Sequence, residues 1–374
     1  MRGTCGPRPQ PGFLPVGVSR LLKNNNTAFM REMTALKTDR DVSLDCIRLV
    51  AIFMVICIHV SAKGFPLLNE RHWWAVNAYE SLSRMAVPLF FMVTGALLLP
   101  RESTVSSILK RLWRIGVPLF AWSVLYLAWF KYTGTDFDAW IARILKAPVV
   151  AHLWYLYTLL GAYLFLPVMA GFFQANTTKT LLFVMGAWLV GATLVPTVFF
   201  ITQQEYVGIN WGFLSLYAGY IVLGAVLYGR VQFKRSWTVP ALLVWFGSTA
   251  AIAVLTWVRS VQVAQGNETF YAYTSPFVAL AAAAAFLLLK EYSGALVTRS
   301  QTLVKALKPL SRVNFGVYLV HVMVLFALDI RGFDYNFINP WIGIPVVTVA
   351  AFLISAAIVA LLQKIPVVRA IVPA

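Results

Sequence analysis

Apolar residues run along this chain in long blocks divided by short polar stretches, and the blocks are too long for the core elements of a water-soluble domain. From Leu44 onward ten lie near 44–62, 85–99, 113–130, 153–173, 180–201, 213–229, 238–258, 272–290, 313–330 and 341–362. A helix needs about 20 predominantly apolar residues to cross a bilayer, so each block reads as a spanning helix. The second is expected to begin earlier, near Asn77, because 85–99 alone is short; the ninth is short as well. The predicted class is therefore all-α: a polytopic integral membrane protein of about ten transmembrane helices. Polar edges on several blocks predict packing against protein or a cavity instead of lipid. The alanine run at 281–285 predicts close helix packing and no more. There is no 20–50-residue repeat, no obvious inverted repeat of hydropathy and no attached soluble domain in the pattern.

Residues 1–42 are polar, with the Pro-containing GPRPQPG and an NNN run, and read as a disordered basic tail. Met30 and Met33 are alternative starts, which would make part of that tail a gene-model extension. Residues 43–364 form the ten-helix membrane domain and 365–374 a short C-terminal tail. The first apolar run carries acidic and basic groups and has no convincing cleavage site after it, so a spanning helix is favoured over a signal peptide. Two connecting stretches are more than linkers. DFDAWIARILKA (136–147) puts Trp140, Ile141, Ile144 and Leu145 on one helical face, which predicts a short helix lying in the interface. NERHWWAVNAYESLSR (69–84) is polar and aromatic and leads into the second span.

Composition agrees with the pattern: 60% hydrophobic, 14% aromatic, 12% charged, with a mean hydropathy of +0.74. A soluble domain carries roughly twice that charged fraction. The net charge of +17 changes the picture only in sidedness. The basic residues form no compact patch with interleaved aromatics, so nucleic acid is not an expected partner; they cluster between spans. With the N-terminus inside, inner loops and tails hold 22 Lys/Arg and outer loops 8, or 15 against 8 without the tail. Both termini are thus expected in the cytoplasm of a cell inner (plasma) membrane protein. Cys5, Cys46 and Cys57 offer neither a C-x-x-C pair nor a disulfide framework. No phosphate-binding glycine loop, H-E-x-x-H, G-x-S-x-G or metal-ligand cluster is present, so no metal and no bound cofactor are expected.

Ionisable groups inside the spans are the candidate chemistry, since such groups are costly in a bilayer and mark function by default. SLDCIRLVAIFMVICIH (43–59) holds Asp45, Arg48 and His59. From Arg48 to His59 is eleven residues, within about 20° of three full turns and about 16 Å along the axis. Asp45 precedes Arg48 by one turn, close enough for an i,i+3 ion pair. Taken alone, Asp45 in a first helical turn and Arg48 snorkelling to headgroups explain those two residues. Neither explains His59, which is too deep to snorkel. His321 sits ten residues into SRVNFGVYLVH (311–321), with Tyr318 one turn before it. Odd-numbered spans run in the same direction, so His59 and His321 are expected at similar levels; helix packing is the competing reading for each histidine.

Lys110, Arg111 and Arg114 stand at the mouth of the third span. Two arginines at i,i+3 suit bidentate binding of phosphate, and a plain positive-inside cluster accounts for them equally. On the opposite side lie His72, Trp73, Trp74, Glu80, Ser83 and Arg84, then His152 and Trp154. Glu80 and Arg84 are spaced to pair at i,i+4. The tryptophans fit both an aromatic belt and sugar-stacking platforms.

Five features in this order resemble the acyltransferase-3 family of integral-membrane acyltransferases. They are Arg48-x10-His59, SRMAVPLFFMVTGALL (83–98), Arg111-x-x-Arg114, HLWYLY (152–157) and FGVYLVH (315–321). The resemblance covers residues 43 to about 364. It implies transfer of an acyl group, usually acetyl, from cytosolic acyl-CoA to a hydroxyl of a cell-envelope glycan or lipid-linked saccharide. It implies that His59 is catalytic and that Arg48, Arg111 and Arg114 contact acyl-CoA as donor substrate; His321, at the matching depth, is a second catalytic candidate, and Lys110 a further donor contact. Asp45, Glu80, Arg84, His152 and Tyr318 take supporting places. Two departures stand out: the family's Asp-Gly-Leu-Arg opening is Asp45-Cys46-Ile47-Arg48, and no hydrolase-like domain follows the spans. A histidine with an ordinary pKa near 6.5 suits a general base. The main rival is a secondary transporter or flippase for a lipid-linked sugar or small anion, which predicts broken spans and repeat symmetry; an inactive binding or sensory relative is another.

Overall fold

The computed structural model describes residues 42–210 and 215–373. The expected N-terminal tail, with Cys5, Met30 and Met33, lies outside the described residues apart from Val42, as do residues 213 and 214 of the sixth apolar block. Among the described residues all regular structure is helical. Nine stretches among the described residues are long and apolar enough to span a membrane: Val42–Gly64, Trp73–Leu98, Val105–Tyr132, Ala151–Ala175, Thr178–Thr202, Arg235–Gln262, Pro276–Gly294, Leu307–Asp329 and Pro340–Leu362. The remaining block appears as the 14-residue helix Leu216–Gly229. The second span starts at Trp73, four residues before the expected Asn77, because its polar aromatic first turns hide the helix from a hydropathy count. The ninth extends back through Lys308, Ser311 and Arg312 for the same reason.

We number the helices that build the site α1 (Val42–Ser61), α2 (Trp73–Ser83), α3 (Ala86–Leu98), α4 (Val105–Tyr132), α5 (Trp140–Lys146) and α6 (Trp154–Ala175). Next come α7 (Thr178–Trp188) and α8 (Val195–Thr202), one span joined by the π-helical segment Leu189–Leu194. The bundle is completed by α9 (Leu216–Gly229), α10 (Thr238–Gln262), α11 (Pro276–Arg299), α12 (Gln301–Asp329) and α13 (Pro340–Leu362). The widened turn precedes Pro196, whose missing N–H breaks the regular ladder.

α1 is the hub. It packs against α2, α3, α11, α12 and α13, and Ile47, Ala51, Ile52, Val55 and Ile56 are all buried. The helix that carries the ionisable stripe therefore runs through protein, not lipid. The alanine run of α11 serves the packing expected of it: Ala281, Ala282, Ala284 and Ala285 are buried. α5 forms where its apolar face predicted it. Ile144 is buried while Ile141 and Leu145 stay exposed, and the Tyr157 hydroxyl donates to the Ile144 carbonyl. The last residues fold back, with the Trp122 indole N–H donating to the Ile371 carbonyl at 2.9 Å and Val372 buried.

The tightest approach lies between α3 and α9. A Cβ on Gly95 would stand 1.7 Å from the carbonyl oxygen of Ile221, and one on Gly224 would stand 2.1 Å from that of Met92. Small residues let membrane helices bring their backbones together, and here backbone meets backbone, so no side chain can swing aside. Gly95→Ala is expected to cost about 3 kcal/mol, the upper end for overpacking. Thermal unfolding in detergent reads it as a lowered Tm, whereas Gly161→Ala, in open space on α6, is expected to hold or slightly raise Tm, since Ala is the better helix former.

Candidate active site

Three histidines meet where α1, α12 and the turn ahead of α6 converge. His59 stands in the last turn of α1, His152 in the short turn Ala151–Leu153 and His321 within α12. Ring centroids are 5.3 Å apart for His59 and His321, 5.9 Å for His59 and His152, and 5.0 Å for His152 and His321. The equal depth expected for His59 and His321 is thus realised. The polar stripe on α1 runs almost the length of the helix: His59 is two residues from its end. His152 and His321 are buried, while His59 is partly exposed in a small cleft lined by Lys63, Leu325, Phe333, Tyr335 and Val347.

Hydrogen bonds fix the state of His321. Its Nδ1 lies 2.7 Å from the Tyr318 carbonyl and 3.2 Å from that of Val317. Carbonyls only accept, so Nδ1 carries the proton, and Nε2 of the neutral ring is a bare acceptor. That Nε2 is buried without a hydrogen-bond partner. Neither ring nitrogen of His152 makes a well-formed hydrogen bond, though Tyr318 anchors its turn by donating to the His152 carbonyl. A buried polar nitrogen without a partner is rare, and that of His321 beside His59 marks a place built to meet a polar group. Tyr126 of α4 holds this region in shape. Its hydroxyl donates to the Leu319 carbonyl at 2.9 Å and accepts from the Met323 N–H at 3.2 Å, bracketing His321. Among the described residues no group of three His, Cys, Asp or Glu side chains is arranged to hold a metal ion.

Behind His59 lies a buried ion pair. Arg84 binds Glu80 at the i,i+4 spacing expected, and Ser61 donates to the other carboxylate oxygen. The guanidinium also lies 4.4 Å from the centroid of the Tyr271 ring, and Tyr271 donates to the Asn77 side-chain oxygen. The Arg84 charge acts on His59. Ser83 donates to the Met54 sulfur at 3.4 Å. Of the aromatic candidates, Trp73 is a buried structural residue whose indole N–H donates to the Phe65 carbonyl at 2.9 Å. Trp74 is exposed against Trp257, His72 precedes α2, and Trp154 stacks on Tyr273.

The arginines gather at the opposite end of α1. Asp45 is buried and pairs with half-buried Arg48 at 3.4 Å, as the spacing predicted. Arg48 of α1 and Arg111 and Arg114 of α4 all lie within electrostatic reach of the Tyr163 hydroxyl of α6. Arg111 is held by the Ser107 hydroxyl at 2.9 Å, and Lys110 is exposed beside it. Tyr155, two turns along α6 from Tyr163, feels Arg48 as well, and its ring lies 5.7 Å from that of Tyr318. Tyr163 and Tyr155 thus stand between the arginine end of α1 and the histidines. Tyr126, Tyr155 and Tyr163 were not among the sequence candidates; a tyrosine inside an apolar block looks like ordinary filling until its neighbours are known.

A family model described as an acyltransferase domain matches residues 41–360, from just ahead of α1 into α13. No curated protein and no solved structure matches the chain. The family match takes in the histidine group, the buried ion pair and the arginine cluster together, and with it the chain belongs to the acyltransferase-3 family of multi-pass membrane acyltransferases.

Proposed function

We propose that this protein is an O-acyltransferase of the cell inner membrane that moves an acetyl (acyl) group from cytosolic acyl-CoA to a hydroxyl of a cell-envelope glycan or lipid-linked saccharide. The observation that carries this reading is the two-ended arrangement along α1. Three arginines converge at one end, and His59 opens to a cleft at the other among two buried histidines. The excess of Lys/Arg at the arginine end supports placing it in the cytoplasm, with both termini. SRMAVPLFFM (83–92) and HLWY (152–155) resemble segments of the enterobacterial common antigen O-acetyltransferase, which favours a polysaccharide hydroxyl as acceptor.

The donor's phosphates bind Arg111 and Arg114, with Lys110 nearby, and its extended arm carries the thioester past Arg48 and the tyrosines towards His59. An acceptor hydroxyl comes from the cleft side. Its oxygen bonds to the acyl carbon while its proton passes to His59; the carbon–sulfur bond breaks, and the departing thiolate takes up the proton. The bare Nε2 of His321 suits it to accept a hydrogen bond from one nitrogen of His59, leaving the other free as base. Holding both substrates at one centre is itself a large part of the rate.

Purified protein is expected to consume acetyl-CoA only when envelope saccharide is supplied, and mass spectrometry of envelope glycans with and without the gene is expected to name the acetylated sugar. Arg111→Ala/Arg114→Ala is expected to raise the KM for acetyl-CoA about tenfold or more, since each charge-assisted hydrogen bond lost is worth about 1.5–3 kcal/mol, with the acceptor KM unchanged. No thioester consumption with any envelope fraction, and unaltered glycans in the deletion strain, would sink the reading.

A further inference from the structure

A second concave site lies away from the histidines, on the outer surface of the bundle. α10 and α11 leave a groove of about 240 Å³ between their first and later turns, lined by Trp237, Pro240, Ala241, Ala283, Ala284 and Leu287. The lining is almost wholly apolar, and small residues on both helices create the hollow. α10 is the least buried of the spanning helices, with Val239, Leu243, Val244 and Phe246 exposed around the groove. In a bilayer this surface faces acyl chains.

One end of the groove is polar. Lys234 and Arg235 are exposed where the chain enters α10, and the Lys234 ammonium lies 6.0 Å over the Trp237 ring. Thr238 and Tyr292 share a hydrogen bond of 2.6 Å across the same end. Arg230 stands just before them, beside the Phe173 ring. Glu291 is the exposed acid here, outnumbered by the three cations. An apolar trough that ends in exposed cations and hydroxyls matches one kind of molecule, with chains in the trough and an anionic phosphate at the rim. The basic end lies on the same side as Arg111 and Arg114, the side the positive-inside rule gives to the cytoplasmic leaflet, where anionic lipid attracts such clusters.

We infer that the α10–α11 groove is a binding site for an anionic phospholipid, held by Lys234 and Arg235 at its headgroup and by the alanine-lined trough along an acyl chain. The site is independent of the acyl-transfer reading.

Native mass spectrometry of the full chain, released from nanodiscs holding equal phosphatidylglycerol and phosphatidylcholine of matched chains, tests it. Each basic residue near the surface favours anionic lipid about fivefold, so two give a preference of about 25-fold for phosphatidylglycerol. In Lys234→Gln/Arg235→Gln the preference is expected to fall about 25-fold, leaving only what Arg230 contributes. Ala283→Leu, which fills the trough from a half-exposed position, is expected to lower retention of both lipids while leaving the charge preference of what remains. Equal retention of the two lipids by the native chain overturns the inference. So does an undiminished preference in the double variant, or unchanged retention in Ala283→Leu.

Discussion

His59→Ala is expected to lower acyl transfer about 10²–10⁴-fold, the contribution of a positioned general base, in a protein that still inserts and folds. The geometry gives each half of that expectation. His59 is partly exposed at the last turn of α1, so its removal opens a cleft that already exists instead of a sealed cavity, and the stability cost is small. The reaction has no evident substitute base: His321 is buried and its Nδ1 is committed to the Tyr318 carbonyl, and His152 is buried behind it. The arginine cluster is about 16 Å away along α1 at helical rise. The KM for acetyl-CoA is therefore expected to hold while kcat falls, the reverse of the Arg111/Arg114 variant. Turnover close to wild type in purified His59→Ala would remove the histidine from the chemistry and with it this account of the site.

Much of this was legible before any coordinates, and the boundary is physical. Hydropathy marks a span by length alone, so most blocks were found; it failed at Trp73–Ser83 and around Lys308–Arg312, where helices continue through polar residues. Relations along one helix were also readable. The Asp45–Arg48 and Glu80–Arg84 pairs follow from 3.6 residues per turn. The depth match of His59 and His321 needed only the rise per residue and the parity of the spans. What stayed hidden crosses between elements. His152 sits on a turn, whose side-chain direction has no period to read, so nothing in the sequence placed it 5.0 Å from His321. Ser61 on Glu80, and Tyr163 before three arginines, are likewise long-range facts. The reciprocal glycines at 95 and 224 needed the register of α3 against α9, which no local pattern encodes.

The second large effect concerns Glu80. Its side chain is 1% exposed, and that of its partner Arg84 12%. Removing the carboxylate by Glu80→Ala leaves a guanidinium inside the bundle without its ion-pair partner, a loss expected to cost about 3–5 kcal/mol. Thermal unfolding in detergent will show it as a large fall in Tm. Destabilisation alone does not separate a scaffold pair from a working one, but replacing both charges does. In Glu80→Leu/Arg84→Met the buried charges are gone together, and packed apolar side chains of similar volume often restore a fold that held a buried ion pair. If the pair only holds α2 in place, transfer returns with Tm. The position of Arg84 argues against that outcome, because its charge acts on His59 and Glu80 and Tyr271 fix its direction. A preorganised cation is worth about 10²–10³ in rate where it meets charge developing in the transition state. The double variant is therefore expected to regain most of its Tm while transfer stays down about a hundredfold. Recovery of both together would reduce Arg84 to a structural residue and leave the histidines to stabilise the transition state alone.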